Sequence, residues 1–440
     1  MDMIKQIKYG KVLGVYKDGC YQYIGIPFAR PPIGELAFRH PVEPDPWDEI
    51  YIANKGMANP IQSQGQFSVG NNSQDCLYMN IFVPQTKQEN LPVMVWIYGG
   101  SYSTGGAGAK EPKSDDLCYN MAKFARETGT IVISFNYRLN LYGFLNLHFL
   151  DERFDMNCGL FDQIMVLRFV KENIGVFGGD TNNITLFGQS AGGACILALM
   201  SMPEAEGLFH KSIVMSACID HFFTEKESEN NTCAYLKLLS IETNEIDKLF
   251  ELSPEMIQEA NKRFSQNMLK HMEVRCAFSP VIDGVTLKKA PKEAVKKSKK
   301  PLLIGSTLQE ANLYIFSLST IVLSFLARKL KLSVNKGKES YKQRISDAVT
   351  DYVYNNPISE ILNEYEGVAW RYKYKYVTPD GRNNGLRCCH ASDVLVLFGD
   401  NSSFVKVDDE ESIRVGTNMR SIWAQFAKEG KVNWMKYSKR

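Results

Sequence analysis

One short segment, residues 184–192, constrains this sequence more than any other. It reads Ile-Thr-Leu-Phe-Gly-Gln-Ser-Ala-Gly, in which an apolar, β-branched and aromatic run leads into the pattern Gly-x-Ser-x-Gly. The run is typical of a buried strand, and the small and apolar residues 193–202 that follow predict a buried helix. A sharp strand-to-helix turn needs glycines on both sides of its serine, because larger side chains would collide there. The segment therefore predicts a turn that presents Ser190 as a nucleophile.

The overall composition is that of a globular protein without a strong electrostatic bias. The 440 residues are 44% hydrophobic and 23% charged, and 51 basic against 49 acidic side chains leave a formal net charge of +2. Nothing in this balance favours a nucleic-acid partner or an acidic membrane surface. The lysine-rich stretch 288–300 lacks the interleaved aromatic residues of a nucleic-acid patch. We interpret it as a short helix, bracketed by Pro291 and Pro301, whose lysines face water.

The cysteines and the N-terminus indicate a cytoplasmic protein without a metal or another cofactor. The ten cysteines form no Cys-x-x-Cys pair and no Cys/His spacing suited to zinc, so we expect them to be buried and reduced. Residues 1–8 alternate polar with apolar side chains and lack the hydrophobic stretch of a secretory signal. Residues 311–327 are largely apolar but short for a membrane span, and they carry Asn, Thr and several Ser. We expect a helix packed against the protein body there, and no membrane span.

Strand-like and helix-like segments alternate along the rest of the chain, which predicts a mostly parallel sheet covered by helices. Residues 93–98 and 131–135 are continuous apolar runs, as expected of strands buried on both faces. In residues 368–376 apolar and aromatic side chains alternate with Arg and Lys, which predicts a strand with one solvated face near the sheet edge. No internal repeat or linker divides the sequence, so we expect a single domain over residues 1–440.

A glycine-rich loop follows the first of these strands. Residues 99–102 read Gly-Gly-Ser-Tyr, and their small side chains let backbone amides turn inward. Such amides stabilise the negative oxygen of a tetrahedral acyl-transfer intermediate, each by about 3 kcal/mol of barrier. We predict an oxyanion hole formed by the N–H groups of Gly100, Ser101 and Ala191. A glycine pair alone would indicate only a turn, but its position after a buried strand and upstream of Ser190 favours the functional interpretation.

Further characteristic blocks of sequence occur in a fixed order over nearly the whole chain. They are residues 25–29, 31–36, 75–80, 93–102, 136–138, 143–145, 159–163, 177–180 and 184–192. On these blocks the chain resembles the type B carboxylesterases, a cholinesterase-like family of α/β-hydrolases, and within it the bacterial para-nitrobenzyl esterases. The resemblance implies an α/β-hydrolase fold, with a large, mostly parallel central sheet flanked by helices and a small N-terminal antiparallel sheet.

The resemblance also implies a catalytic triad. The family's serine, glutamate and histidine, in that chain order, fall on Ser190, Glu310 and His390. Glu310 follows an apolar strand-like run, although Ala311 stands where the family has a glycine. In these roles His390 takes the proton from Ser190 and returns it to the leaving alcohol, while Glu310 fixes the imidazole tautomer. The expected reaction is hydrolysis of a small-molecule carboxylic ester through an acyl-enzyme.

Departures from the family pattern bear on the substrate. Ser101 stands where the oxyanion loop commonly has glycine or alanine. The backbone donors survive this change, and the width of the slot stays open. Cholinesterases carry a tryptophan that binds quaternary ammonium, and this chain has Gln66 beside Phe67 in that place. Gln189 replaces a glutamate that is frequent before the nucleophile. Choline esters are therefore not expected, and we predict a substrate pocket that includes Phe67, Tyr102 and Gln189.

Two alternatives stay open at this level. A hydrolase of this fold acting on thioesters or amides would carry the same triad. A non-catalytic adhesion protein of the neuroligin type shares the fold but lacks the serine, and the intact triad counts against it. The natural substrate, its acyl chain length and the oligomeric state do not follow from the sequence.

Overall fold

The computed structural model describes residues 3–62, 69–110, 118–270, 276–332, 334 and 339–437. Its strands are β1 (Ile4–Ile7), β2 (Gly10–Leu13), β3 (Val15–Lys17), β4 (Cys20–Pro27), β5 (Tyr51–Ile52), β6 (Asn59–Pro60), β7 (Asn72–Ser73), β8 (Tyr78–Pro84), β9 (Leu91–Ile97), β10 (Ile131–Phe135), β11 (Gly179–Gln189), β12 (Lys211–Met215), β13 (Phe223–Thr224), β14 (Val281–Ile282), β15 (Leu302–Thr307) and β16 (Ala369–Tyr374). Its α-helices are α1 (Met121–Thr128), α2 (Asn140–Phe144), α3 (Cys158–Asn173), α4 (Ala191–Leu199), α5 (Glu225–Leu238), α6 (Pro254–Lys270), α7 (Pro291–Val295), α8 (Asn312–Ile315), α9 (Thr320–Lys329), α10 (Tyr341–Thr350), α11 (Asn356–Glu364), α12 (Pro379–Asn383), α13 (Ser392–Phe398) and α14 (Glu410–Glu429).

A nine-stranded sheet in the order β16-β15-β12-β11-β9-β10-β8-β4-β3 forms the centre of the fold. From β16 to β10 all neighbouring strands run parallel, and from β10 to β3 they run antiparallel. The inner strands β9 and β10 are almost wholly buried, because helices cover both faces of a parallel sheet. The predicted mostly parallel sheet is confirmed. The predicted edge position of residues 368–376 is also confirmed. β16 is the outermost strand of the sheet, and three of its side chains are partly solvated.

The small N-terminal sheet differs in one respect from the prediction. It has three strands in the order β1-β2-β5. β1 and β2 form an antiparallel hairpin, but β5 pairs with β2 in parallel, with Val12 opposite Tyr51. A tight hairpin turn enforces antiparallel pairing, whereas the long connection before β5 lets that strand enter in either direction. The sheet is therefore mixed and not antiparallel.

The lysine-rich stretch forms the predicted short helix, α7, but its lysines are not simply solvated. Lys292 bonds the carboxylates of Asp220 and Glu360, each at 2.8 Å. Lys296, only 9% exposed, bonds Glu364 at 2.8 Å. The prediction that the lysines face water is confirmed for the exposed Lys288, Lys289, Lys297 and Lys299. It is wrong for Lys292 and Lys296, because acidic residues from other parts of the chain pack over them.

The apolar stretch 311–327 forms two helices and not one. α8 and α9 are separated by a turn that ends at Ser319, whose side chain accepts a hydrogen bond from Val322 N and so caps α9. Leu323 and Leu326 pack into a small hydrophobic cluster, which confirms packing against the body. Within the described ranges, no helix reaches the length and hydropathy needed to cross a membrane.

Three parallel strands bring the predicted site together. The oxyanion loop follows β9, Ser190 follows β11 and Glu310 lies just beyond β15. Carboxyl ends of parallel strands meet at one edge of the sheet, so loops that are distant in sequence converge there.

Candidate active site

Ser190 lies at a strained turn between β11 and α4. Its backbone has φ 57° and ψ −123°, a conformation that side chains rarely adopt, and its N–H donates to Met215 O at 2.9 Å. The flanking glycines are sterically required. A Cβ on Gly188 would lie 2.7 Å from Ile97 O, and a Cβ on Gly192 would overlap that same oxygen. The predicted strand–turn–helix is present, and it leaves Ser190 5% exposed, in the lining of a cleft.

Glu310 is fully buried and uses both carboxylate oxygens. Oε1 accepts hydrogen bonds from Ser216 Oγ and Thr307 N, both at 2.6 Å, and Oε2 lies 2.6 Å from His390 Nδ1. A carboxylate only accepts hydrogen bonds, so the imidazole carries a proton on Nδ1 and presents Nε2 as its basic nitrogen. This is the tautomer that a general base opposite Ser190 requires.

The imidazole of His390 lies near two tyrosine rings. The centroids of Tyr314 and Tyr354 are each 5.4 Å from the centroid of His390. Tyr354 belongs to a π-helical turn, Asp351–Asn355, a local irregularity that often marks functional sites. These contacts hold the ring in place independently of Glu310 and provide electron-rich faces beside any positive charge that forms on it.

The structure joins two of the three predicted triad residues directly. Ser190 and His390 line the same cleft, but among the described residues no hydrogen bond links their side chains. His390 Nε2 instead lies 2.9 Å from Gln189 Nε2. Catalytic hydrogen bonds are often unformed in enzymes without substrate, so this geometry is compatible with a triad.

The backbone amides predicted to form the oxyanion hole donate no hydrogen bond to the described part of the protein. Gly100 and Ser101 have φ values of 111° and 54°, which turn the loop back on itself, and Ala191 is the first residue of α4. In the described part of the chain, the N–H groups of these three residues have no hydrogen-bond acceptor. Free amides beside Ser190 are what an anionic oxygen would bind.

The cleft has a volume of about 820 Å³ and a mainly apolar lining. Of the residues that the structure describes, Lys110 and Asp400 contribute charged side chains to its wall. Of the predicted pocket residues, Gln189 lines it. Phe67 lies outside the described residues. The prediction for Tyr102 is wrong, because a left-handed backbone at φ 59° turns the ring into the core against Phe144, with ring centroids 4.8 Å apart.

Sequence reasoning missed Ser216 and Asp393, which lie next to the Glu310–His390 pair. Ser216 follows β12 with φ 48°, and no local motif marks it. Asp393 is buried, and burial, together with the charge of Glu310, raises the pKa of its carboxyl to about 8. The only sequence signal for Asp393 was its position three residues after His390. When Asp393 is protonated and neutral, it adds no negative charge next to the carboxylate of Glu310.

The described residues contain no group of His, Cys, Asp and Glu side chains placed to hold a metal ion. None of the ten cysteines forms a disulfide in the structure.

Comparison with known proteins agrees with this arrangement. A model of the Carboxylesterase family matches residues 2–322 and 326–439. The para-nitrobenzyl esterase of Bacillus subtilis (strain 168) is 32% identical over 459 residues, which cover 98% of this chain and 91% of that protein. Carboxylesterase 1C of Rattus norvegicus is 28% identical, with 98% of this chain and 87% of that protein covered.

Solved structures agree in the same way. A thermophilic PNB esterase superposes with a TM-score of 0.84 at 30% identity, covering 99% of this chain and 94% of that chain. A carboxylesterase of Geobacillus stearothermophilus gives a TM-score of 0.82 at 26% identity, covering 98% and 92%. Similarity of this extent, in sequence and in structure, confirms the resemblance drawn from the sequence blocks. The chain belongs to the carboxylesterase family and has the α/β-hydrolase fold.

Proposed function

We propose that this carboxylesterase hydrolyses small carboxylic esters through an acyl-enzyme on Ser190, with His390 as the base and Glu310 as its orienting acid. The observation that carries the proposal is the 2.6 Å contact between Glu310 Oε2 and His390 Nδ1, in a cleft that both His390 and Ser190 line. The contact leaves Nε2 as the proton acceptor on the side of the cleft.

Acylation follows from these positions. Ser190 Oγ attacks the ester carbonyl carbon while His390 Nε2 takes its proton, so a C–O bond forms as the O–H bond breaks. The carbonyl oxygen becomes an anion, which the amides of Gly100, Ser101 and Ala191 stabilise. The imidazolium then gives its proton to the departing alkoxide, and the alcohol leaves with the acyl group retained on Ser190.

Deacylation repeats the sequence with water. His390 removes a proton from water, which attacks the acyl carbon, and Ser190 recovers its proton as the acid departs. Glu310 stays ionised throughout and stabilises the imidazolium that forms twice in each cycle. The buried bonds that Glu310 accepts from Ser216 and Thr307 keep that carboxylate in place.

The test compares the Ser190→Ala variant with wild-type enzyme on p-nitrophenyl esters from acetate to palmitate. We expect turnover to fall by about 10⁴-fold or more in this variant with the fold intact, since no other group replaces the nucleophile. Ser201→Ala, just beyond the end of the same helix, is the matched control. Unchanged hydrolysis in Ser190→Ala would reject the assignment, and no hydrolysis by wild-type enzyme would favour a non-catalytic homologue. Matched thioester and anilide substrates separate the remaining hydrolase alternatives.

We also propose that the enzyme works in a reducing, cytoplasmic compartment. The support is its set of ten unpaired cysteines, most of them buried. Fusion to a fluorescent protein and imaging of the cell tests this directly.

A further inference from the structure

The side chain of Gln189 occupies the point on His390 that the mechanism needs to be free. Gln189 Nε2 lies 2.9 Å from His390 Nε2. Because Nδ1 keeps its proton towards Glu310, the neutral ring offers a lone pair at Nε2, and the glutamine amide donates to it. The acceptor of the first proton transfer thus already has another partner in the resting enzyme.

The oxyanion loop provides the space for this amide. A Cβ on Gly99 would lie 2.9 Å from both Gln189 Oε1 and Ser190 Cβ. The amide is therefore confined between the loop that binds the oxyanion and the ring that acts as base. A substrate carbonyl that enters the oxyanion slot passes beside Gly99 and competes with the amide for this space.

We propose that Gln189 is a latch on the catalytic base, which holds His390 Nε2 in the resting enzyme and is displaced when an ester enters the oxyanion slot. Gln189 is in this view a positioning residue and not a substrate contact. The inference rests on the proposed function, since it assigns His390 as the base. Displacement of the amide frees Nε2, and the hydroxyl of Ser190 then donates to Nε2 and completes the triad.

The surroundings of His390 allow the latch to be tested by pH. The carboxylate of Glu310 is in direct contact with the imidazole, and the ring centroids of Tyr314 and Tyr354 each lie 5.4 Å from its own. Further titratable groups act from a greater distance or across the cleft. They are Asp393 and Lys373, which interact with Glu310, and Cys218, Cys276, Lys110 and Asp400.

Two substitutions test the proposal in the full-length protein. In Gln189→Ala, the amide no longer competes, and we expect the pre-steady-state acylation rate with p-nitrophenyl acetate to rise about two- to tenfold, the range set by one neutral hydrogen bond. In Gln189→Glu, a carboxylate beside Nε2 favours the charged imidazole, so the acid limb of the kcat/KM profile moves about one pH unit upward. Gln88→Glu adds the same charge on the exposed loop between β8 and β9, and it leaves both readouts unchanged.

The results of these experiments distinguish a failure of the latch from a failure of the proposed function. An acylation rate in Gln189→Ala at or below that of wild type overturns the latch, and an unmoved acid limb in Gln189→Glu overturns the contact with His390. If wild-type enzyme does not release p-nitrophenol from p-nitrophenyl acetate at all, the proposed function fails instead. If Gln189→Ala unfolds at the assay temperature, the profile of Gln189→Glu decides.

Discussion

Replacement of Glu310 by glutamine probes the orientation of the base, since it removes one charge with almost no change in shape. Thr307 N–H donates to Glu310 Oε1 and, being a backbone donor, cannot reverse its role. The amide oxygen of the variant therefore stays on that side, and its NH₂ group faces His390 Nδ1. Nδ1 must then accept, so the imidazole proton moves to Nε2. In this tautomer His390 has no lone pair with which to take the proton from Ser190.

The expected magnitude follows from the loss of general-base catalysis. A wrong-tautomer variant of a serine triad loses about 10⁴-fold in kcat, which corresponds to about 5 kcal/mol of barrier. We expect this loss for Glu310→Gln with p-nitrophenyl acetate, and long-range ¹H–¹⁵N NMR of the six histidines should place the proton of His390 on Nε2. Glu89→Gln, on the exposed loop between β8 and β9, is the matched control. Retention of more than a tenth of wild-type kcat, in a protein with unchanged thermal melting, would refute the reasoning.

The remaining predictions concern the scaffold of the site. Gly192→Ala forces a Cβ against Ile97 O and should abolish activity or folding, whereas Gly175→Ala, with no heavy atom within 4 Å of the added carbon, should be neutral in the same esterase assay. Asp162 accepts three hydrogen bonds from buried Arg138, so Asp162→Ala should lower the free energy of unfolding by about 3–5 kcal/mol in urea titration, and a loss below about 1 kcal/mol would contradict this. The pKa of Asp393 is raised from 3.8 to about 8 in the folded state, so the folded protein binds more protons than the unfolded chain between these values. Wild-type stability should therefore fall as pH rises through that window, whereas Asp393→Asn, which resembles the neutral acid next to Glu310 and Tyr372, should lack this component in parallel denaturation curves.

Local patterns predicted the elements that depend on local rules. The turn at Ser190 follows from glycine spacing, and β10 from a run of β-branched and aromatic residues. The edge position of β16 follows from its alternation of apolar and charged side chains. The resemblance supplied the positions of Glu310 and His390, which no spacing rule relates to Ser190.

Features that arise from tertiary packing could not be predicted from local sequence patterns or from the resemblance. Ser216 reaches Glu310 because β12 and β15 are neighbours in the sheet, and Tyr354 reaches His390 through a π-helical turn that no sequence pattern marked. The burial of Tyr102 depends on a left-handed backbone in the loop, and the parallel pairing of β5 depends on a long connection. The contact between Gln189 and His390 joins residues that are distant in sequence, and it exists only because Gly99 leaves room for the amide.

The most direct test of the central claim is active-site labelling with a fluorophosphonate, followed by peptide mass spectrometry. A hydroxyl activated by an imidazole and facing free amides should react stoichiometrically, with the label on the peptide that contains Ser190 and no label in Ser190→Ala. His390→Ala should slow the reaction by several orders of magnitude, because the hydroxyl then has no base. Absence of labelling in the wild-type enzyme, or a label on another residue, would contradict the account.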